Sequence, residues 1–595
     1  MNLLIDYLGV SHSAKLTSDE DGRDWRQLLG TVREVAPEMV VDGLTVTLSW
    51  RSFLACRVAI SQFKRYHDCG VRLTTDAEAM LKHEMPQSYA SAIKNAKTLG
   101  ADEIKRRLAN VGFLRDLTDN QLANVGRIVN LPSAATFSVP GAGKTTEALA
   151  YFFLNASEDD RLLVVAPVNA FGAWDEQLQD CVGIPPERGF VRLRGQSVIA
   201  GMLRKHPRFM IMTYSQLPYS KEDIVHELDR GDVFMFLDES HRIKGGRGKT
   251  WADAVLDVSY LPAHKLIMTG TPMPQSTKDL VPQFTFLFPD KPVNDETVVA
   301  AIQPIFVRTT QGELGIPSVD RKIVSVEMGK AQEAVYRTLR SEASRELASL
   351  SKTSKLTLRS IGKCSIRLLE FVSNPALLTT SLKYAFDPSV GELLLRGDGP
   401  KIEYACWRAR ELAKEGKKVI IWSSFVQNVE LISSRLGDLG ADFIHGGVGA
   451  GDEDDDGTRE GKIKLFHDDP DRMVLVANPA ACAEGISLHK VCQYAIYVDR
   501  SFNAAQYLQS EDRIHRLGLK PGQRPVVEIL QCPKTIDEVV NHRLTDKVRK
   551  MADVLNDKSL SISAELYDSE FESDEEISDE DAAAILSYFF PGGMP

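Results

Sequence analysis

Apolar positions along the chain gather into two successive series of short, nearly continuous runs. The first series holds 136–139, 162–166, 210–214, 233–237 and 265–269; the second holds 418–423, 442–445, 473–477, 495–499 and 526–530. The runs are rich in Val, Ile and Leu and do not alternate with polar residues, and amphipathic stretches separate them. Strands buried on both faces read this way, so the pattern predicts an α/β fold with two tandem parallel-sheet domains. In open sheets of this type, ligands sit beyond the carboxyl ends of the strands. Residues 1–110 form a separate N-terminal α+β region, in which 44–48 alternates as a strand and 50–67 has a helical period. The stretch 331–396 reads as a helical insertion. The expected partition is 1–110, an accessory region; 111–300, the first sheet domain; 301–398, a linker and helical protrusion; 399–550, the second sheet domain; and 551–595, a disordered acidic tail.

Charge changes this picture in two places. Of a net charge of −11 over 595 residues, ten acidic residues fall between Glu565 and Asp581, and no basic residue follows Lys558. The body is therefore near neutral, and a nucleic-acid partner stays open. From Arg337 to Arg367 there are eight basic residues against Glu342 and Glu346, which suits either a solvated helix face or a phosphate-contacting protrusion. The apolar stretch 584–590 suits either a docking motif or a frayed end. No run approaches ~18 uninterrupted apolar residues, so no membrane span is expected. The eight cysteines are scattered without a Cys-x-x-Cys pair. This argues against a zinc ribbon or a disulfide framework and fits a reducing, cytoplasmic setting.

Candidate chemistry sits where the first series predicts a site. Pro140, Gly141, Ala142, Gly143, Lys144, Thr145 and Thr146 form a glycine turn between an apolar run and a helical one. Backbone N–H groups of such a turn, helped by the helix N-terminus, cradle phosphates. Lys144 is placed to reach the β- and γ-phosphates and Thr145 to hold Mg²⁺. The complete pattern has a glycine five residues before Gly143, and this chain has Ser138 there. The run 233–237 ends in Asp238 and Glu239, one carboxylate for a metal's water shell and one to polarise water. Upstream, Gln121 suits either an adenine-reading amide or a surface helix residue. Downstream, Arg513 and Arg516 stand three apart, on one face of an expected helix, and arginines supplied by a second domain stabilise charge on a transferring phosphoryl group.

These runs together resemble superfamily-two helicase-type ATPases, and within them the Swi/Snf-type, chromatin-remodeller-like translocases. The matches are Asp238-Glu239-Ser240-His241-Arg242-Ile243-Lys244, Thr269-Gly270-Thr271-Pro272 and the stretch from Gln509 to Gly518. Thr213-Tyr214, Trp174, Asn374-Pro375, Gly399-Pro400-Lys401 and Gly485-Ile486-Ser487-Leu488 support them. The resemblance covers roughly 111–550. It implies two RecA-like domains that hydrolyse ATP with Mg²⁺ in a shared cleft, with Gly485 and Gln509 on the nucleotide side. It further implies that His241, Thr269 and Thr271 couple nucleotide state to nucleic-acid grip, and that Thr213, Ser423 and Ser487 touch the nucleic-acid backbone. Ser240 stands where alanine is more usual, Pro400 where many relatives have a small residue, and Leu519 where many have glutamine; no histone-reading module accompanies the motor. Stripped-down motors of this kind resemble those of bacteria and their viruses. The expected function is an ATP-dependent translocase on double-stranded DNA, in repair, restriction or phage defence. The alternatives are a strand-separating DNA or RNA helicase, or an ATP-gated scaffold recruiting a nuclease or methyltransferase. Protein partners are expected through residues 1–110 or the tail.

Overall fold

The computed structural model describes residues 1–557 and 579–591, apart from 10, 12, 37–38, 68, 85–87, 229–232, 247–249, 263, 349–354, 381–390, 392–397, 450–454, 483–487, 517 and 520–522. The chain divides into two compact units, one of residues 1–273 and 277–309, the other of 274–276 and 310–595.

The first unit carries two sheets. Strands β1 (Asn2–Leu8), β2 (Ser13–Ser18), β3 (Val40–Asp42), β4 (Thr45–Ser49) and β5 (Gly70–Leu73) form a mixed sheet in the order β3-β4-β2-β1-β5. Its pairs are antiparallel except β1 with β5. Alternation along β2 and β4 sets Ala14, Leu16, Val46 and Leu48 inward against the buried Trp50 and Phe53 of the helix Trp50–Tyr66. A single buried face of this kind is what alternating strands specify.

The other sheet is wholly parallel: β6 (Ser133–Thr136), β7 (Arg161–Val165), β8 (Val191–Arg192), β9 (Phe209–Met212), β10 (Val233–Asp238), β11 (His264–Met268) and β12 (Phe306–Val307), in the order β12-β6-β11-β10-β7-β9-β8. Its central strands are buried on both faces, with Leu163, Val164, Met235, Phe236, Leu266 and Ile267 at 0–1% exposure. Four of the five expected runs coincide with strands, whereas the expected 136–139 meets β6 only at Thr136, the strand being the preceding Ser133–Thr136. The two-residue edge strands β8 and β12 were not expected.

The second unit holds β13 (Asp320–Ser325), β14 (Lys418–Trp422), β15 (Asp442–Ile444), β16 (Val474–Ala477), β17 (Cys492–Tyr497) and β18 (Val526–Gln531) in one parallel sheet, ordered β13-β18-β17-β14-β16-β15. Five of the six match expected runs. The sixth, β13, lies in what reads as linker and pairs with β18. Helices Lys330–Ala348 and Lys355–Ser373 form the helical insertion.

The tail reading needs correction at its end. Residues 558–578 lie outside the described residues, but Asp579–Phe589 is a helix rather than a disordered or frayed end. Ile585, Ala582 and Phe589 are buried. Asp581 pairs with Arg543 at 2.8 Å and Lys547 at 2.6 Å, and Glu580 with Arg543 and Lys550. Tyr588 lies under the Arg340 guanidinium and meets the Tyr336 hydroxyl at 2.7 Å. Ion pairs made to residues tens of positions upstream overcome the self-repulsion that the acidic composition suggests. Among the described residues no helix is long and apolar enough to cross a membrane, and seven cysteines are free and buried.

Candidate functional site

The glycine turn leaves β6 and enters the helix Lys144–Asn155 through Gly143, whose φ of 82° is left-handed. A side chain at Gly143 would also strike Gln121, since an added Cβ would lie 2.2 Å from its Nε2. Glycine is therefore required there on two counts. The helix has no side-chain cap, so its first N–H groups remain available to an anion. Lys144 Nζ donates to the Ser138 carbonyl at 2.9 Å, and Thr145 is half-buried in the first turn. Thr146 is set aside from ligand contact through its side chain: its hydroxyl is buried and donates to Gln177 at 2.7 Å. Pro140 packs against Gly270, where an added Cβ would lie 3.1 Å from its Cδ.

Gln121 is neither on the surface nor free to read a base edge. It closes a capping box with Thr118, and its Nε2 donates to the Ala142 carbonyl at 3.2 Å. The amide thus braces the glycine turn from beneath.

The acidic pair ends β10. Asp238 accepts from Trp174 Nε1 at 3.0 Å, and its own carbonyl accepts from the Tyr214 hydroxyl at 2.8 Å. Glu239 has the left-handed conformation φ 51°, ψ 53°, a strained state for a residue with a side chain. Its carboxylate accepts from Thr269 at 3.0 Å, and the Thr269 hydroxyl lies 2.9 Å from His241 Nδ1. Thr271 N donates to the same hydroxyl at 3.1 Å. His241 and Thr269 therefore meet Glu239, and Thr271 reaches it only through its backbone N–H to the Thr269 hydroxyl. Burial, and then the neighbouring Glu239 charge, push the Asp238 carboxyl up. Burial also works to raise Glu239, but the hydrogen bonds from His241 and Thr269, with the Lys144 charge, hold it below the ordinary carboxylate range. The pair thus divides into a readily charged Glu239 and an Asp238 that a cation would favour. A left-handed glycine turn, an uncapped helix N-terminus, a lysine and an acidic pair together fit a metal–nucleoside triphosphate.

In the second unit the helix Ala504–Asp512 ends before either arginine. Arg513 and Arg516 lie in the turn that follows rather than on one helix face. The turn is held by His515 and Ile514 N–H groups donating to the Glu511 carbonyl at 3.0 Å, by the buried Ile514, and by the His515 ring against the Pro317 carbonyl at 2.6 Å. Arg516 makes no hydrogen bond or ion pair with a described residue, and burial, then the Arg513 charge, lower its pKa. Gln509 is buried with its Oε1 unpaired among the described residues.

The nucleic-acid candidates fare differently. Thr213 follows β9, part-exposed, with its hydroxyl 3.0 Å from that of Ser215. Ser423 is fully buried and donates to Asp499 at 2.6 Å; its side chain is a structural one in this arrangement. Gly485 and Ser487 lie outside the described residues. Residues without an assigned role in the sequence reading also matter here. Trp174 and Tyr214 were visible within motifs but fix Asp238, and Asn124 and Glu147 form a buried network beneath the turn. Burial raises Glu147 to about 7.

Comparison with known proteins places this geometry. Residues 43–297 match the SNF2-related domain, a match that begins within the N-terminal sheet, and residues 402–518 match the helicase conserved C-terminal domain. The chain is 23% identical over 311 residues to Protein CHROMATIN REMODELING 4 of Arabidopsis thaliana, covering 48% of this chain and 13% of that protein. It is 23% identical over 417 residues to the CHD3-type chromatin-remodeling factor CHR7 of the same organism, covering 64% of this chain and 32% of that protein. The chain therefore spans a third or less of the length of these two relatives. A Sulfolobus solfataricus SWI2/SNF2 ATPase core in complex with dsDNA aligns with a TM-score of 0.32 and 20% identity, over 75% of this chain and 94% of that one. On its two matched domains, the chain belongs to the Swi/Snf-type ATPases of helicase superfamily two.

Proposed function

We propose that this Swi/Snf-type ATPase is a translocase on double-stranded DNA, hydrolysing ATP to move along the duplex or to remodel protein–DNA complexes. The observation that carries the reading is the coupling of Glu239 to the Thr269–Thr271 turn through His241 and Thr269. A carboxylate that orients water is thereby bonded to a second loop, which can report the state of the site elsewhere.

In this mechanism the N–H groups at the start of the helix Lys144–Asn155 bind phosphate oxygens, and Lys144 leaves the Ser138 carbonyl to do the same. Thr145 and Asp238 would hold Mg²⁺, which when bound neutralises charge on the phosphates. Glu239, kept charged by its hydrogen bonds, orients the attacking water. Arg513 and Arg516 would stabilise charge that develops on the transferring group. Grip on the duplex is through backbone phosphates, so binding is sequence-independent and weakens with salt. The repair, restriction or phage-defence setting and the cytoplasmic location belong to this proposal.

The test is ATPase activity with double-stranded DNA, single-stranded DNA, forked DNA and RNA, paired with a strand-separation assay. Strong stimulation by duplex without unwinding supports the translocase. Unwinding of the fork supports a helicase instead, and stimulation by RNA alone overturns the duplex reading.

A further inference from the structure

Beneath the glycine turn lies a chain of buried polar groups that the mechanism above does not use. Glu147, in the first turn of the helix that Lys144 opens, has 0% exposure. Its two oxygens accept from Asn124 Nδ2 at 2.8 Å and from the Thr136 hydroxyl at 2.9 Å. Asn124 belongs to the helix Asp119–Ile128, the same helix whose Gln121 braces Ala142. The Asn124 amide also donates to the Thr309 hydroxyl at 2.9 Å. Thr309 N in turn donates to the Ser138 hydroxyl at 2.9 Å, and the Val139 N–H donates to the Thr309 carbonyl at 3.0 Å. Ser138 closes the circuit, since its carbonyl accepts from Lys144.

Two features set this network apart from ordinary core packing. Thr309 is the last residue of the first unit; from residue 310 the chain belongs to the second. Ser138, moreover, stands where the phosphate-loop pattern has glycine. The chain forgoes the permissive residue and uses the added hydroxyl to accept from the exit segment. Asn124, Thr136, Ser138 and Thr309 are all buried, and buried polar networks of this kind hold their members in one arrangement.

We propose that Asn124, Ser138, Glu147 and Thr309 form a positioning relay that fixes the phosphate loop, and Lys144 with it, to the segment by which the chain leaves the first unit. The proposal rests on the ATPase reading given above. It assigns Thr309 a role in turnover without any contact to nucleotide. A displacement of the exit segment is then felt at Glu147, in the first turn of the helix that Lys144 opens, through the two hydrogen bonds that the Asn124 amide donates to the Thr309 hydroxyl and to the Glu147 carboxylate. The relay also explains why Ser138 is compatible with the loop: its side chain is turned into the network and away from the phosphate cradle.

The test compares Thr309→Val, which removes the hydroxyl at nearly constant volume, with Thr309→Ser, which keeps it, in the full-length chain. ATP binding, KM and kcat are measured with and without linear duplex DNA, and melting temperature is recorded for each variant. The relay predicts that Thr309→Val lowers kcat about tenfold with KM for ATP within about twofold, while Thr309→Ser turns over as the wild type does. Equal losses in both variants, a loss confined to KM, or wild-type kcat in Thr309→Val would each overturn it. If Thr309→Val does not fold, Ser138→Gly takes its place: a lowered kcat in a variant that restores the glycine pattern supports the relay, and wild-type kcat overturns it. Absence of duplex stimulation in the wild type overturns the translocase reading instead; the same tenfold split is then read on the basal kcat and decides the relay separately.

Discussion

In the first unit two adjacent carboxylates, Asp238 and Glu239, share their surroundings with Lys144 and an uncapped helix N-terminus. The second unit sets two arginines in a single turn after Asp512. Several of its other buried or half-buried cations are matched to carboxylates: Lys401 to Asp537 at 2.7 Å, Arg408 to Glu528 at 2.8 Å, and Arg321 to Glu511 through both oxygens. Arg516 has no such match among the described residues. Two sheets of the same parallel architecture therefore differ in what they leave uncompensated. One gathers groups that bind a cation and phosphates, and the other keeps a desolvated guanidinium, Arg516, which feels the charges of Arg513 and Asp512 but makes no ion pair with a described residue. Desolvating a charge is costly unless a partner arrives, so the contrast separates arginines that hold the fold from one available to a ligand.

The largest effects should come from the uncompensated groups. Arg516→Ala is expected to lower kcat ~10³-fold or more with a much smaller effect on nucleotide affinity. A pure loss of ATP binding would refute its assignment as a group acting on the transferring phosphoryl. Glu239→Gln should retain ATP binding and lose turnover by about 10²-fold or more; normal turnover would remove Glu239 from the water-orienting role and leave the strained φ of 51° without a function.

Acid should distinguish the two units next. His264 opens β11 stacked on Phe234 at 4.5 Å, with Nδ1 3.1 Å from the Tyr151 hydroxyl, and burial lowers its pKa from 6.5 to about 4. The unfolded chain then binds the proton more readily than the folded one. Stability from this group is complete above the unfolded value and is lost as pH falls through the folded value. The expected loss between pH 6.5 and 4 is about 3 kcal/mol. Melting curves across that window should show His264→Gln lacking this part of the pH dependence. A parallel pH response in the variant and the wild type would count against the buried neutral imidazole.

The salt links of the terminal helix should matter less. The Asp581 side chain is 3% exposed, and its replacement by alanine removes one carboxylate from both Lys547 and Arg543. Arg543 retains Glu580, and Lys547 retains the Phe502 carbonyl at 2.9 Å. The cost should therefore fall below that of a fully broken buried pair, at about 2 kcal/mol. Chemical denaturation measures it. An unchanged midpoint would mean that the helix docks without need of its acids.

Legibility from sequence follows the same division. Nine strands were readable because strands buried on both faces are continuously apolar, whereas β6, Ser-Ala-Ala-Thr, lies almost wholly before its expected run. Strand β13 was not, since as an edge strand it exposes Asp320, Lys322, Ile323 and Ser325 and half-buries only Arg321 and Val324. The glycine turn and the acidic pair were readable because their spacing is local. Gln121, Ser423 and Thr146 were not, because each is turned inward by partners 21, 76 and 31 residues away. The arginine turn was mistaken for helix because spacing by three is shared by both. The terminal helix was hidden by its charge, which finds its counterions only in three dimensions.

Tyr588 provides the smallest and most selective probe of that helix. Its hydroxyl meets that of Tyr336, which also accepts from the Ile536 N–H at 2.9 Å at the start of the helix Ile536–Leu555. Tyr588→Phe removes one hydrogen bond and keeps the ring under Arg340, 4.1 Å from its guanidinium carbon. The loss should be about 1 kcal/mol, while Tyr588→Ala should lose the stacking and buried area as well. If the helix is seated chiefly by its aromatic end, Tyr588→Ala should destabilise more than Asp581→Ala, and the second unit would owe this element to packing rather than to charge matching. If Asp581→Ala costs more, the pairing of charges that distinguishes the second unit extends through its last helix. Limited proteolysis between residues 558 and 578, followed by measurement of whether 579–591 stays associated, reads the same ranking without reliance on a global melt.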